Sequence, residues 1–176
     1  MTRRRALRGA CLWGLLALAG CAAPARWSTF RDGADQLEFP GDVEVRQVAE
    51  GPWARATVAH VVHDGRRFEL ARFVLTERVS PERRAALVEE VLRGLGARPG
   101  VAEVTRRQTT VAGRPATALT LRMDSGEVAV YRIFRRDRDT LLELSVAGPA
   151  SGMEAVADRF FGSYDASTLE AAPRSP

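Results

Sequence analysis

The hydrophobic pattern of the chain changes period several times, and each change marks an element. Short alternating runs come first, at residues 36–39 and 43–48. Two longer apolar, β-branched runs follow at 55–63 and 68–76. Asp64-Gly65 lies between them, a pair that favours a tight hairpin turn. The period then lengthens. Leu87, Val88, Val91, Leu92 and Leu95 share one helical face, with Ser80 placed as N-cap and Pro81 at the first helical position. Gly94, Gly96 and Pro99-Gly100 end that helix. Alternation resumes at 101–111, 116–123, 127–134 and 140–147. The separators are Gly113-Arg114-Pro115, Asp124-Ser125-Gly126 and the charged stretch 135–139.

A second helix closes the pattern. Met153, Val156, Ala157, Phe160, Phe161 and Tyr164 follow helical spacing, and Ser151 with Glu154 has capping-box spacing. The expected fold is α+β. It is an antiparallel meander of roughly six to eight strands covered by two main helices, as an α/β/α sandwich. The single domain is expected over 35–164, preceded by a tether at 21–34. Trp27 and Phe30 in the tether either dock on the domain or touch a membrane interface. Residues 165–176, rich in Ala, Ser and Pro, are expected to be disordered.

The N-terminus has a different pattern. A basic cluster, Arg3, Arg4, Arg5 and Arg8, precedes an apolar run over 10–19. That is the order of an export signal, and the run is about half the ~20 residues that would span a bilayer. It ends in Leu18-Ala19-Gly20-Cys21, which resembles the lipobox of bacterial lipoproteins. The resemblance implies a signal peptide over 1–20, cleavage before Cys21, and Cys21 as the lipid attachment site. Several acyl chains hold a protein on a membrane more firmly than one. Arg3-Arg4 with Leu7 and Arg8 partly resembles a twin-arginine signal, but Ala6 departs from that pattern, and the general secretory route is the expectation. Ala22 after the Cys resembles outer-membrane lipoproteins facing the periplasm. In a Gram-positive cell the same anchor faces outward from the plasma membrane.

Cleavage alters the charge balance. The chain has 26 basic and 22 acidic residues; losing the four arginines leaves 22 of each, so the net charge of the mature chain is about zero. Nucleic-acid binding loses its electrostatic support. Cys11 leaves with the signal and Cys21 carries lipid, so thiol chemistry and disulfides are not expected. The sequence contains no Lys, which excludes Schiff-base chemistry and a P-loop lysine.

Candidate chemistry is sparse. His60, His63 and Asp64 are the clustered metal or acid–base candidates. Strand alternation sends His60 and His63 to opposite faces, and a zinc site wants at least three protein ligands. Asp35, Glu38, Asp42 and Glu44 read as an outward acidic strand face. Arg132, Arg135, Arg136 and Arg138, with Asp137 and Asp139 interleaved, read either as a solvated hairpin tip or as a clamp for an anion. Ser28, Ser145, Ser151 and Ser163 lack a nucleophile-elbow context. No catalytic residue, metal or cofactor is assigned.

The mature layout resembles the PsbP-like fold. Carrying the resemblance are Phe39-Pro40, the turn Val111-Ala112-Gly113-Arg114-Pro115-Ala116, and Asp124-Ser125-Gly126 leading to Tyr131. The strand Leu142-Glu143-Leu144-Ser145 and the ending Phe160-Phe161-Gly162-Ser163-Tyr164 complete it. It covers roughly 36–164 and implies a binding or assembly factor rather than an enzyme. The leading expectation is therefore a non-enzymatic envelope lipoprotein, membrane-held through its lipid, with an envelope protein as partner and no nucleic acid. The alternatives are a metal-dependent hydrolase around His60, His63 and Asp64, or a carrier of a lipid or small anion.

Overall fold

A computed structural model describes residues 26–48, 53–75 and 80–166. The signal segment and Cys21 lie outside the described residues. Nine strands and two helices form the described chain. In order they are β1 (Ser28–Asp32), β2 (Asp35–Phe39), β3 (Glu44–Val48), β4 (Trp53–His63), β5 (Arg66–Leu75), α1 (Pro81–Gly96), β6 (Val101–Val111), β7 (Arg114–Met123), β8 (Glu127–Arg135), β9 (Thr140–Pro149) and α2 (Met153–Gly162).

β1 and β2 form a separate two-stranded sheet. The other strands make one seven-stranded antiparallel sheet in the order β3-β4-β5-β9-β8-β7-β6. Two meanders thus meet where β9 pairs with β5. The turns follow sequence chemistry. Asp64 (φ 48°) and Gly65 (φ 69°) both occupy the left-handed region, as a two-residue hairpin with the twist of its strands requires. The turn after β6 lies one step earlier than expected. Ala112 and Gly113 take the positive φ values, and Arg114-Pro115 already belongs to β7.

Side-chain alternation sends each strand into two cores. On one face Leu92 and Leu95 of α1 pack on Leu119, Leu121, Ala129, Tyr131, Ile133 and Leu141. On the other face Phe160 and Phe161 of α2 join Leu37 and Phe39 of β2 over Val128, Phe134, Leu142, Leu144 and Val146. Phe160 is fully buried, edge-on to both Phe39 and Phe68. The expected α/β/α sandwich therefore describes the molecule only in part. Sheet dominates, and the β1–β2 hairpin shares the second face with α2.

Other expectations shift. The stretch read as tether already contains β1, whose few apolar side chains conceal it in the sequence. Trp27 packs edge-on against Phe68, and Phe30 against Phe39. At the other end Asp165 pairs with Gln36 through backbone hydrogen bonds of 2.9 Å, so order extends past 164. The rest of the expected tail, from 167, lies outside the described residues. Ser80 caps α1 as expected, accepting from the Arg83 amide at 3.3 Å. The capping box expected from Ser151 and Glu154 is not formed. The N-cap of α2 is Gly152, at φ 68°, and makes no side-chain cap. The Ser151 carbonyl instead accepts from Arg66.

Candidate functional site

The register of the seven-stranded sheet builds a polar row on the face that α1 covers in part. Glu44 lies opposite His60, His60 opposite Glu69, Glu69 opposite Ser145 and Ser145 opposite Tyr131. Residues opposite one another across antiparallel strands point to the same side, so these five share a face. One row away, Val62, Arg67, Ala147, Ala129 and Leu121 are aligned in the same manner. Their small side chains at Ala129 and Ala147 leave a groove beside the end of α1. It encloses about 300 Å³ between Val62, Arg67, Arg98, Met123, Tyr131 and Ala147. Val62 stands at its mouth and is 70% exposed, the most exposed large hydrophobic among the described residues.

On the other side of the polar row lies Glu143, aligned with Ala71 and Ile133. Glu143 is only 8% exposed. Burial pushes its carboxyl up to about 7; the neighbouring Glu69 adds to the rise and Arg98 opposes it. Glu69 is itself held by Arg67 at 2.8 Å. Arg98 Nη1 donates to the Tyr131 hydroxyl at 3.1 Å. Burial raises the Tyr131 phenol as well, against the pull of Arg98. The groove thus pairs an apolar floor with a polar wall of Arg67, Arg98 and Tyr131, and Glu143 lies beyond that wall, outside the groove's lining.

His60 joins this face, with Nε2 3.5 Å from Glu44 Oε2. His63 does not. It pairs with Asp64 at 3.2 Å and lines a different recess, with Trp27, Phe68 and Arg159. The two histidines therefore serve opposite faces, as strand alternation requires. Among the described residues no cluster of His, Cys, Asp and Glu has the size or geometry to hold a metal ion. Nor does any described serine hydroxyl hydrogen-bond a histidine. Ser28 donates to the Gly41 carbonyl and Ser163 to the Phe160 carbonyl.

Two sequence readings need correction. Asp35 is not part of an outward acidic face. It is 1% exposed, accepts from the Tyr164 hydroxyl at 2.7 Å, and lies 3.0 Å from Arg136 Nη1. The reason is alternation: Asp35 shares the inward side of β2 with Leu37 and Phe39. The arginines at 132–138 do not form one solvated tip either. Arg136 reaches inward to Asp35. Arg132, near the middle of β8, is buried and sits over the Phe161 ring at 4.7 Å. Arg135 alone among them reaches across the tip, to the Arg138 carbonyl at 3.5 Å.

Sequence reasoning missed Glu69, Glu143 and Tyr131. The available signal was an acidic residue inside the apolar strand Leu141-Leu142-Glu143-Leu144. Both faces of that strand are buried, so Glu143 could not turn outward.

Comparison with solved structures gives the fold. The solution structure of CyanoP, the cyanobacterial PsbP of Synechocystis sp. PCC 6803, aligns with 86% of this chain and 99% of its own. The TM-score is 0.52 at 9% sequence identity. The fold is PsbP-like. A Pseudomonas aeruginosa protein of unknown function also aligns, over 85% of this chain and 99% of its own, at 15% identity and a TM-score of 0.39. No protein-family profile and no curated protein matches the chain. At such identities the PsbP-like likeness is one of architecture, and activity has to be argued from the site.

Proposed function

We propose that this chain is a lipid-anchored cell-envelope protein whose PsbP-like domain is a non-enzymatic binding or assembly module. The groove beside α1 is the surface that engages a protein partner. The observation that supports this reading is the exposed Val62 at the mouth of a small-floored groove, flanked by Arg67 and Arg98. Apolar contact at a centre with arginine at its edge is the usual make-up of a protein interface. Among the described residues no group of three His, Cys, Asp or Glu could hold a metal ion, and His60 and His63 are divided between two faces. The metal-dependent hydrolase reading therefore finds little support.

The anchor is the second half of the proposal. Cys21, lipidated and following a cleaved signal, holds the domain at the membrane, most naturally the outer membrane facing the periplasm. Tethering raises the local concentration of domain and partner, so a weak groove contact suffices.

The test uses the full chain in its envelope with a photo-crosslinking residue at Val62 or, as a control, at Arg31. One adduct of fixed mass from Val62 alone supports the reading. No adduct, or the same adducts from both positions, refutes it. In parallel, C21A moves the protein from the membrane to the soluble fraction; continued membrane association of that variant rejects the anchor.

A further inference from the structure

The opposite face of the sheet holds a second recess. It encloses about 370 Å³ between β6, β7, β8 and α2, and Arg107, Arg122, Arg132, Thr120, Glu154 and Asp158 supply its polar lining. Val128, Val130 and Ala157 form an apolar floor. Arg132 is the unusual member. The residue is 7% exposed, and its guanidinium packs 4.7 Å from the centre of the Phe161 ring. Nη1 donates to the Tyr131 carbonyl at 3.1 Å.

Among the described residues, no carboxylate lies within 4.0 Å of Arg132 or Arg107. Arg122 has only a long contact of 3.5 Å to Glu103, with both partners more than half exposed. A buried guanidinium without an opposite charge is costly. Here the cost is increased by a second cation. Burial lowers the pKa of Arg132, Arg107 lowers it further, and Asp158 opposes them more weakly. A guanidinium fixed by an aromatic ring and one carbonyl keeps donors free in a planar fork suited to oxyanions.

We propose that this recess binds a phosphate group, seated between the buried Arg132 and the exposed Arg107, with Arg122 adding a third positive charge at the rim. The shared chemistry is that of a phosphate monoester or a phospholipid headgroup. Glu154 and Asp158 on the α2 rim repel a second anionic group, which restricts the ligand to one phosphate. The site is independent of the groove beside α1, since the sheet separates them.

The experiment is a titration of the full chain with inorganic phosphate, followed by calorimetry and by amide chemical shifts, with sodium chloride at matched ionic strength as control. Saturable binding with shifts at Arg107 and Val130–Ile133 is expected. R107A, at an exposed position, is expected to raise Kd at least ten-fold with the fold intact. R132M is expected to abolish binding, and its amide dispersion reports whether it folds. D158N is expected to tighten binding several-fold. Chloride reproducing the shifts, no saturation, or an unchanged Kd in R107A would overturn the proposal. Vesicles of phosphatidylglycerol then separate the sources. Displacement of phosphate by the vesicles assigns a headgroup; phosphate binding unaffected by them assigns a soluble ester.

Discussion

Tyr164 donates its hydroxyl proton to Asp35 Oδ1 at 2.7 Å, across 129 positions of sequence. The bond ties the segment that follows α2 to the β1–β2 hairpin, and Arg136 completes the group at 3.0 Å from the other carboxyl oxygen. Burial raises the Asp35 carboxyl, and the Tyr164 bond and Arg136 offset part of that rise. Removing the carboxylate leaves a buried phenol and a nearly buried guanidinium unpaired. D35A is therefore expected to cost about 3–5 kcal/mol, the range for breaking one half of a buried ion pair. Y164F removes one hydrogen bond and is expected to cost about 1–2 kcal/mol. Urea unfolding of both variants checks the order; a Y164F loss as large as that of D35A would contradict it.

Asp35 also shows what the sequence could and could not reveal. The periods of Leu119, Leu121, Leu142, Leu144 and Val146, the helix of Leu87 to Leu95, and the turn at Asp64-Gly65 are local signals, and each appears in the structure where the pattern puts it. The groove is not local. It depends on β9, which pairs with its sequence neighbour β8 along one edge, pairing along the other with the distant β5, and only that pairing brings Ala147 and Ser145 opposite Arg67 and Glu69. The buried charges were hidden for a second reason. Asp35 lies at the same parity as Leu37 and Phe39, and Arg132 at that of Val128, Val130 and Phe134. Hydropathy alone counts them as breaks in an apolar face rather than as members of it.

Gly148 is expected to tolerate no side chain. Its φ is 149°, and a Cβ there would lie 2.7 Å from the Gly65 carbonyl oxygen. That contact is backbone against backbone, so neither strand can yield without opening the β4–β5 turn beside the groove. G148A is expected to destabilise the domain by about 1–3 kcal/mol, the range for a strained backbone position. G113A meets nothing within 4 Å and carries only the conformational cost of its φ of 75°. Thermal melts of the two variants separate the terms, and an equal loss in both would remove the steric argument.

Phe160 anchors α2. It is fully buried, with ring centres 5.2 Å from Phe39 and 5.4 Å from Phe68. F160A is expected to cost about 3–5 kcal/mol through lost transfer energy and the cavity left behind. F160L, which refills much of the volume, is expected to restore more than half of it. Failure of F160L to recover stability would mean that ring geometry, not volume, holds the helix.

Glu143 gives the domain a pH dependence with a definite sign. Its carboxyl titrates near 7 in the folded chain, against 4.5 for an exposed glutamate. Below pH ~4.5 both states are protonated and the residue costs little. As pH rises from ~4.5 to ~7 the unfolded chain releases the proton while the folded chain retains it, so stability falls. Above ~7 both are ionised and the loss levels off at roughly 3 kcal/mol, the free-energy equivalent of the shift. Asp35, also raised, works in the same direction from a lower starting point. E143Q keeps the shape without the charge. It is expected to match the parent at pH 4, exceed it at pH 8, and retain only the residual slope due to Asp35. Urea unfolding at pH 4, 6 and 8 measures this directly. A parent whose stability rises between pH 5 and 7, or an E143Q variant with the parent's slope, would show that Glu143 is not the buried acid of this sheet face.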